Sequence, residues 1–324
     1  MKRLFSGIQP SGTIHLGNYL GAIKRWVTIQ EKYDSIFSVV DLHALTVYQD
    51  PKKFRNQIID TAKILLASGI DPEKSIIFVQ SEIAEHLELY WILNSITKVA
   101  ELELMTQYKD KTQNGKSSTA GLLNYPVLMA SDILLYDAQI VPVGEDQRQH
   151  LELTRELARR FNGLYGKTFK EPEELIEKVG SKIMGLDNPT KKMSKSASSE
   201  YNYIALTDEP EKIKDKIKKA VTDSETLIKY DPLKKPGISN LLTILALSLG
   251  KDVKEIENKY FGENYGRLKI DCADAVVQLL SKFQENYKKI SDKKVESVLK
   301  KGAASAGKIA LQKIEEVYQK VGLR

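Results

Sequence analysis

Along the first 80 positions, short apolar runs alternate with segments whose apolar residues recur every three or four places. The runs RLFSGI (Arg3 to Ile8), SIFSVVD (Ser35 to Asp41) and SIIFVQS (Ser75 to Ser81) read as strands, and Asn18 to Tyr33 and Pro51 to Gly69 read as helices between them. In the first helix Leu20, Ile23, Val27 and Gln30 fall on one stripe, which predicts a face laid on a sheet. Strands alternating with helices of this length define a βαβαβ unit, and right-handed crossovers make its strands parallel. Ligands in such sheets bind beyond the C-terminal strand ends. Here those ends carry Ser6, Gly7, Gln9, Asp41 and Gln80, polar groups at the rim of an apolar layer.

The pattern then changes. YKDKTQNGKSSTAG (Tyr108 to Gly121) is polar and lysine-bearing and reads as an exposed loop. A helix is expected over LLNYPVLMASDILLYD, a buried strand over QIVPV up to Gly144, and another helix over EDQRQHLELTRELARRF. MGLDNPTKKMSKSASSE (Met184 to Glu200) has the Gly, Asp, Asn, Pro and Ser density of a loop, and beyond it the chain reads as almost wholly helical. The expected organisation is a Rossmann-like α/β domain over residues 1–188, a loop and linker over 189–204, a helical domain over 205–291 and a closing helix over 292–324. That last helix is free to belong with either domain.

At 324 residues the chain can bury two ordinary cores. No apolar run is long enough to span a bilayer and the N-terminus has no secretory pattern, so a soluble cytoplasmic protein without membrane attachment is expected. A lone cysteine, Cys272, excludes an intramolecular disulfide, and His15, His43, His86 and His150 lack metal-ligand spacing, so no metal site is expected. The net charge of +6 is uneven, about +8 from Lys191 onward and about −2 before it. A solvated lysine-rich surface and a nucleic-acid-binding face both account for that asymmetry.

Candidate chemistry begins in the turn after the first strand, GIQPSGTIHLGN (Gly7 to Asn18). It is neither a P-loop nor G-x-G-x-x-G. Gly17 would let a ring or ribose approach the backbone, His15 and Asn18 bracket that position, and the start of a helix favours an anion. On these residues alone a structural turn and a nucleotide site both stay open. TKKMSKS (Thr190 to Ser196) puts Lys191, Lys192 and Lys195 on a short loop with two serine hydroxyls, which suits a polyphosphate whose charge shifts during reaction, or a plain linker.

TIHLGN after a first strand together with KMSKS resembles the two signature motifs of class I aminoacyl-tRNA synthetases, with Asn18 in place of the second histidine of H-x-G-H. The resemblance extends through FSGIQPSG, VDLHALT, GLLNYPVLMASDILLYD, VPVGEDQRQHLELTRELARRFN, AVTDSE and KPGISNLL, blocks similar to bacterial-type tryptophanyl-tRNA synthetases along nearly the whole chain. It implies activation of L-tryptophan by ATP with Mg²⁺, transfer to tRNA(Trp), and a homodimer. It further implies that Gln9, Pro10, Ser11, Gly17, Asn18, Gly144, Glu145, Asp146 and the backbone at Ile183 hold ATP. Lys192, Met193, Ser194, Lys195 and Ser196 would do so from the second motif, and Lys192, Lys195, Lys111 and Gln147 would act on the phosphates. Tryptophan would meet Asp132, Phe5, Gly7, Tyr125, Met129, Val141 and Val143.

Helical geometry supports the amino-acid assignment. Around Asp132 the positions three, four and seven away are Met129, Leu128, Tyr125, Leu135 and Tyr136, an apolar and aromatic face with one carboxylate. An ionised carboxylate only accepts and an indole N–H only donates, so the two match. Asp132 facing solvent or pairing with a lysine are the other readings of that face. Competing functions are a tyrosyl-tRNA synthetase, a small-molecule nucleotidylyltransferase and a non-catalytic RNA-binding protein.

Overall fold

The computed structural model describes residues 1–10, 12, 14–112, 119–144, 147–175, 182–195 and 197–324, the side chains of 110–112 excepted. Five parallel strands, β1 (Arg3–Ile8), β2 (Asp34–Val39), β3 (Ser75–Val79), β4 (Ile140–Val141) and β5 (Glu173–Glu174), form a sheet in the order β3-β2-β1-β4-β5. The chain therefore winds outward from β1 in one direction and then crosses to its other side. That reversal leaves a crevice between the ends of β1 and β4, where such sheets bind ligands. Registers Gly7↔Ser38 and Ile8↔Val39 align the C-terminal ends of β1 and β2.

The helix after β1 is continuous but changes pitch: α1 (Leu16–Asn18), a π-helical turn (Tyr19–Ile23), then α2 (Lys24–Ile29). It stops at Ile29, short of Tyr33, and Leu20, Ile23 and Gln30 of the expected stripe are buried. After β2 come α3 (Asp41–Ala44) and α4 (Pro51–Ala67), the latter capped by Asp50 accepting from Lys52 N at 3.0 Å, with Pro51 in its first turn. β3 leads to α5 (Glu85–Ser95), α6 (Val99–Glu103) and α7 (Thr106–Thr112). The segment expected to be a loop from Tyr108 is thus helical as far as Thr112. Next are α8 (Ala120–Leu134), α9 (Arg148–Tyr165), and, after β5, α10 (Pro210–Lys218), α11 (Pro236–Leu249), α12 (Val253–Lys259), α13 (Tyr265–Lys289) and α14 (Asp292–Val321). Strand β5 and helix α12 had no periodic signal: each is too short to show one.

The closing helix α14 lies back on the α/β half, across β3, α4 and α5. Its approach is backbone to backbone: a Cβ added at Gly302 would stand 1.8 Å from the Ile77 carbonyl oxygen. Polar ties flank that contact, Lys63 Nζ to Asp292 at 3.2 Å, Lys313 Nζ to Asp137 at 3.0 Å and Tyr318 Oη donating to Glu88 at 2.8 Å. Cys272 is buried in the helical core, where burial pushes its thiol up to about 12. Among the described residues no helix is long and apolar enough to cross a membrane.

Candidate functional site

A cavity of about 890 Å³ opens over the crevice between β1 and β4. Of the residues singled out in the sequence, Phe5, Gly7, Gln9, Asn18, Tyr125, Met129, Asp132, Val141, Val143, Gly144, Gln147, Lys192, Ser194 and Lys195 all line it. Four others do not. Pro10 and Gly17 are buried beside it, and Ile183 and Met193 belong to the apolar core beneath, where Met193 N donates to the Ile183 carbonyl at 3.0 Å. Gly17 carries its lack of a side chain toward the protein: a Cβ there would lie 3.0 Å from His15 Nδ1 and 3.5 Å from Met193 Cβ. Ser11, Glu145, Asp146, Ser196 and the Lys111 side chain lie outside the described residues.

At one end of the cavity sits Asp132, 2% exposed. Neither solvent nor a lysine meets it. Its Oδ1 accepts from Gln80 Nε2 at 2.7 Å and from His86 Nδ1 at 2.6 Å, and its Oδ2 from His43 Nε2 at 2.8 Å. Burial alone would raise this acid, but the hydrogen bonds from His43 and His86 outweigh it and hold the carboxyl down at about 2. A carboxylate has about four acceptor positions, so three donors leave one, on Oδ2, in a group that lines the cavity. His86 is partnered on both sides, its Nδ1 meeting Asp132 and its Nε2 lying 2.8 Å from Tyr136 Oη. Tyr136 stacks on Phe5 with centroids 5.7 Å apart and an interplanar angle of 9°, which fixes the floor of the cavity. Of the face expected around Asp132, Tyr125 and Met129 reach the cavity, while Leu128, Leu135 and Tyr136 pack inward.

His43 and His86 were missed as members of the site. The first lies in the VDLHALT block, and its position just past a strand end was the available signal; His86 enters from α5, 46 residues before Asp132, and no periodicity announces it. Gln80, by contrast, was already marked as a polar group on a strand end. Asp41, marked with it, ties the ends of β2 and β3 together by accepting from Ser81 N at 3.0 Å.

The other end is cationic. Lys195 lies across the signature turn, since a Cβ on Gly12, whose φ is +83°, would coincide with its Nζ at 1.3 Å. Burial lowers the pKa of Lys195. His15 stands 7% exposed, its Nδ1 without a hydrogen-bond partner, and burial followed by Lys192 and Lys195 lowers it to about 4, so it is neutral at pH 7. Asn18 Oδ1 accepts from His15 N at 3.1 Å, which commits its carbonyl to the turn and leaves its amide N–H groups as donors. The lysine loop is held from below: Ser194 N donates to Asn202 Oδ1 at 2.8 Å, and Asn240 of α11 pairs with both Met184 N and Met184 O at 2.9 Å.

Between the two ends, Tyr125 Oη lies 2.7 Å from Gln107 and 2.9 Å from His150, whose Nδ1 is 2.8 Å from Gln147 Oε1. Gln147 is thereby attached to α8 and α7 through side chains, and its amide is engaged within the protein.

A buried acceptor at one end of a switch-point crevice and lysines laid over a glycine turn at the other define a site for a donor-bearing ring and a polyphosphate. Residues 1–281 match the family of tRNA synthetases class I (W and Y), and the chain belongs to it. Within that family it falls with the bacterial tryptophanyl-tRNA synthetases. It is 53% identical to the tryptophan–tRNA ligase of Caldanaerobacter subterraneus subsp. tengcongensis over 100% of this chain and 99% of that one. Among solved structures it resembles tryptophanyl-tRNA synthetase of Mycoplasma pneumoniae, with a TM-score of 0.93 and 37% identity, covering 100% of this chain and 98% of that one. The enzyme of Campylobacter jejuni, solved with ADP and tryptophan, has a TM-score of 0.83 and 38% identity over 99% of both chains.

Proposed function

We propose that the cavity activates L-tryptophan with ATP and then passes the tryptophanyl group to tRNA(Trp), the reaction of a tryptophan–tRNA ligase. In the first step a tryptophan carboxylate oxygen attacks the α-phosphorus, the bond to pyrophosphate breaks, and tryptophanyl-adenylate forms. The carboxylate is already ionised at neutral pH, so the protein's contribution is position and charge stabilisation rather than proton removal. In the second step a ribose hydroxyl of the terminal adenosine, the 2′ one by class I behaviour, attacks the adenylate carbonyl. AMP leaves and the hydroxyl proton is lost to solvent.

The single observation that carries the amino-acid assignment is the one remaining acceptor position of buried Asp132. An indole N–H fills it, with Phe5, Met129, Val141 and Val143 around the ring. At the phosphate end Lys192 and Lys195 follow the departing pyrophosphate, and Lys111, whose side chain lies outside the described residues, is assigned to its outer end on the family resemblance alone. Gln9, Asn18 and Ser194 are neutral donors on the same wall, and Gly144 lines the cavity beside them; Glu145 and Asp146, outside the described residues, are assigned to the ribose on the family resemblance. Among the described residues no three His, Cys, Asp or Glu side chains come together as a metal cage. Lys192, Lys195 and the neutral donors would meet phosphate oxygens, so Mg²⁺ would be held by the ATP phosphates and water and would supply neutralisation of phosphate charge.

The helical part, α10 to α13, is proposed to bind the anticodon end of the tRNA, and α14 to belong with the catalytic half it packs against. Trp91 and Leu87, one turn apart on α5, are exposed at 66% and 47%, which supports a homodimer through that face. The cytoplasm, where tRNA is charged, is the expected compartment. The test is amino-acid-dependent exchange of labelled pyrophosphate into ATP with tryptophan, tyrosine and phenylalanine in parallel. Exchange with tryptophan alone is expected; exchange with tyrosine would move the specificity and keep the mechanism.

A further inference from the structure

The basic helix α10 would be expected to offer its lysines to solvent or tRNA, yet Lys216 is 2% exposed. Its Nζ is 2.6 Å from Asp208 Oδ2 and 4.8 Å from the centre of the Tyr203 ring. An ion pair in such a place is costly to desolvate, and apolar residues of similar volume would serve stability as well or better. What the pair does is local. The same Asp208 oxygen accepts from Ala205 N at 2.9 Å, and Gln284 of α13 donates to the carbonyls of Leu206 and Asp208, both at 2.9 Å.

The segment so clamped, Tyr203 to Leu206, is the outer wall of the first signature motif. Leu16 N donates to Ile204 O at 2.8 Å, Leu206 N donates to Ile14 O at 3.3 Å, and His15 faces Ala205 in an antiparallel bridge. Tyr203 also packs against the His15 imidazole, with centroids 6.2 Å apart. A polar chain therefore runs from α10 through Asp208 to the backbone on which His15 is mounted.

We propose that Asp208, aimed by the buried Lys216, is a positioning residue for adenylate formation: its cap on Ala205 fixes the strand segment that sets His15 and the signature turn against ATP. This rests on the reading of that turn as the ATP site. The amino-acid end of the cavity does not depend on it, because Asp132 is held by α3, α5 and the end of β3 instead.

The experiment is pyrophosphate exchange per titrated active site, with tryptophan affinity measured separately by calorimetry, on Asp208→Ala, Asp208→Asn and Lys216→Met. Asp208→Ala removes the acceptor and is expected to lower kcat about tenfold or more while tryptophan Kd stays within about twofold. Asp208→Asn keeps an acceptor for Ala205 N and is expected to recover to within about threefold of the parent. Should Asp208→Ala not fold, Lys216→Met reads the same effect, with kcat lowered about threefold or more at unchanged tryptophan Kd. Unchanged kcat in a folded variant, or tryptophan binding weakened as much as kcat, overturns the proposal. His15→Ala is the control: a full rate there would overturn the ATP-site reading itself, whereas a reduced rate there with an intact rate in Asp208→Ala would defeat only the role of Asp208.

Discussion

His86 Nδ1 lies 2.6 Å from Asp132 Oδ1, and on its other side His86 Nε2 lies 2.8 Å from Tyr136 Oη. The carboxylate at the head of the cavity is thus the end of a buried chain rather than an isolated group. Removing the imidazole strands Asp132 of one donor and Tyr136 of its acceptor. His86→Ala is expected to lower unfolding free energy by about 3 kcal/mol, from two unsatisfied buried groups at about 1–3 kcal/mol each. Urea denaturation measures it, and a loss below about 1 kcal/mol would show that water replaces the ring at no cost.

The proposed selectivity rests on the same acid. Asn at 132 offers one acceptor oxygen where three donors already compete, so Asp132→Asn is expected to lose discrimination against phenylalanine and tyrosine by a factor on the order of 10² or more. The relative kcat/KM of the three amino acids in pyrophosphate exchange decides it, and an unchanged ratio would remove Asp132 from the specificity site.

Two depressed groups give opposite ends of the acid range. For Asp132, an acid held down at about 2, the stabilisation is complete above its ordinary range and is lost as pH falls toward 2. For His15, a base lowered to about 4, the folded state binds fewer protons than the unfolded one between pH 6.5 and 4, so stability falls as pH drops through that window. The loss is at most about 3 kcal/mol. Denaturation midpoints at pH 6.5 and 4.5 should converge in His15→Gln relative to the parent. Equal slopes in both proteins would mean that another group dominates.

Gly302 tests the return of α14. A methyl group there meets the Ile77 carbonyl at 1.8 Å, and both partners are backbone, so neither can yield cheaply. Gly302→Ala is expected to cost about 3 kcal/mol or more. A thermal midpoint within 2–3 °C of the parent, a shift of order 1 kcal/mol or less, would show that the helix can lift from β3.

For tRNA binding, the net positive charge from Lys191 onward, about half of it in the closing segment from Asp292, leads to a steep salt dependence. Between 50 and 200 mM salt, affinity is expected to drop about 10³-fold if about six phosphates are contacted. A flat response would exclude backbone contacts by α10 to α13.

The parallel sheet, the crevice at its strand ends and most of the cavity wall are legible along the chain. Those features are carried by patterns of period 2 and 3.6 and by turns whose chemistry is local, as in Gly7 to Asn18. The class of reaction was legible through the family resemblance of TIHLGN, KMSKS and the blocks between them, since each motif taken alone also fits a plain turn or linker. Which groups hold Asp132 follows from packing between distant segments. Its donors come from α3, α5 and the end of β3, at sequence separations of 89, 46 and 52 residues, and no local rule relates them. The same is true of Lys216, a lysine on a basic amphipathic helix whose burial depends on Tyr203 and Asp208 meeting it from a segment outside that helix. It is true also of α14, whose amphipathic pattern calls for an apolar partner without naming one; the close backbone approach at Gly302 is what selects β3.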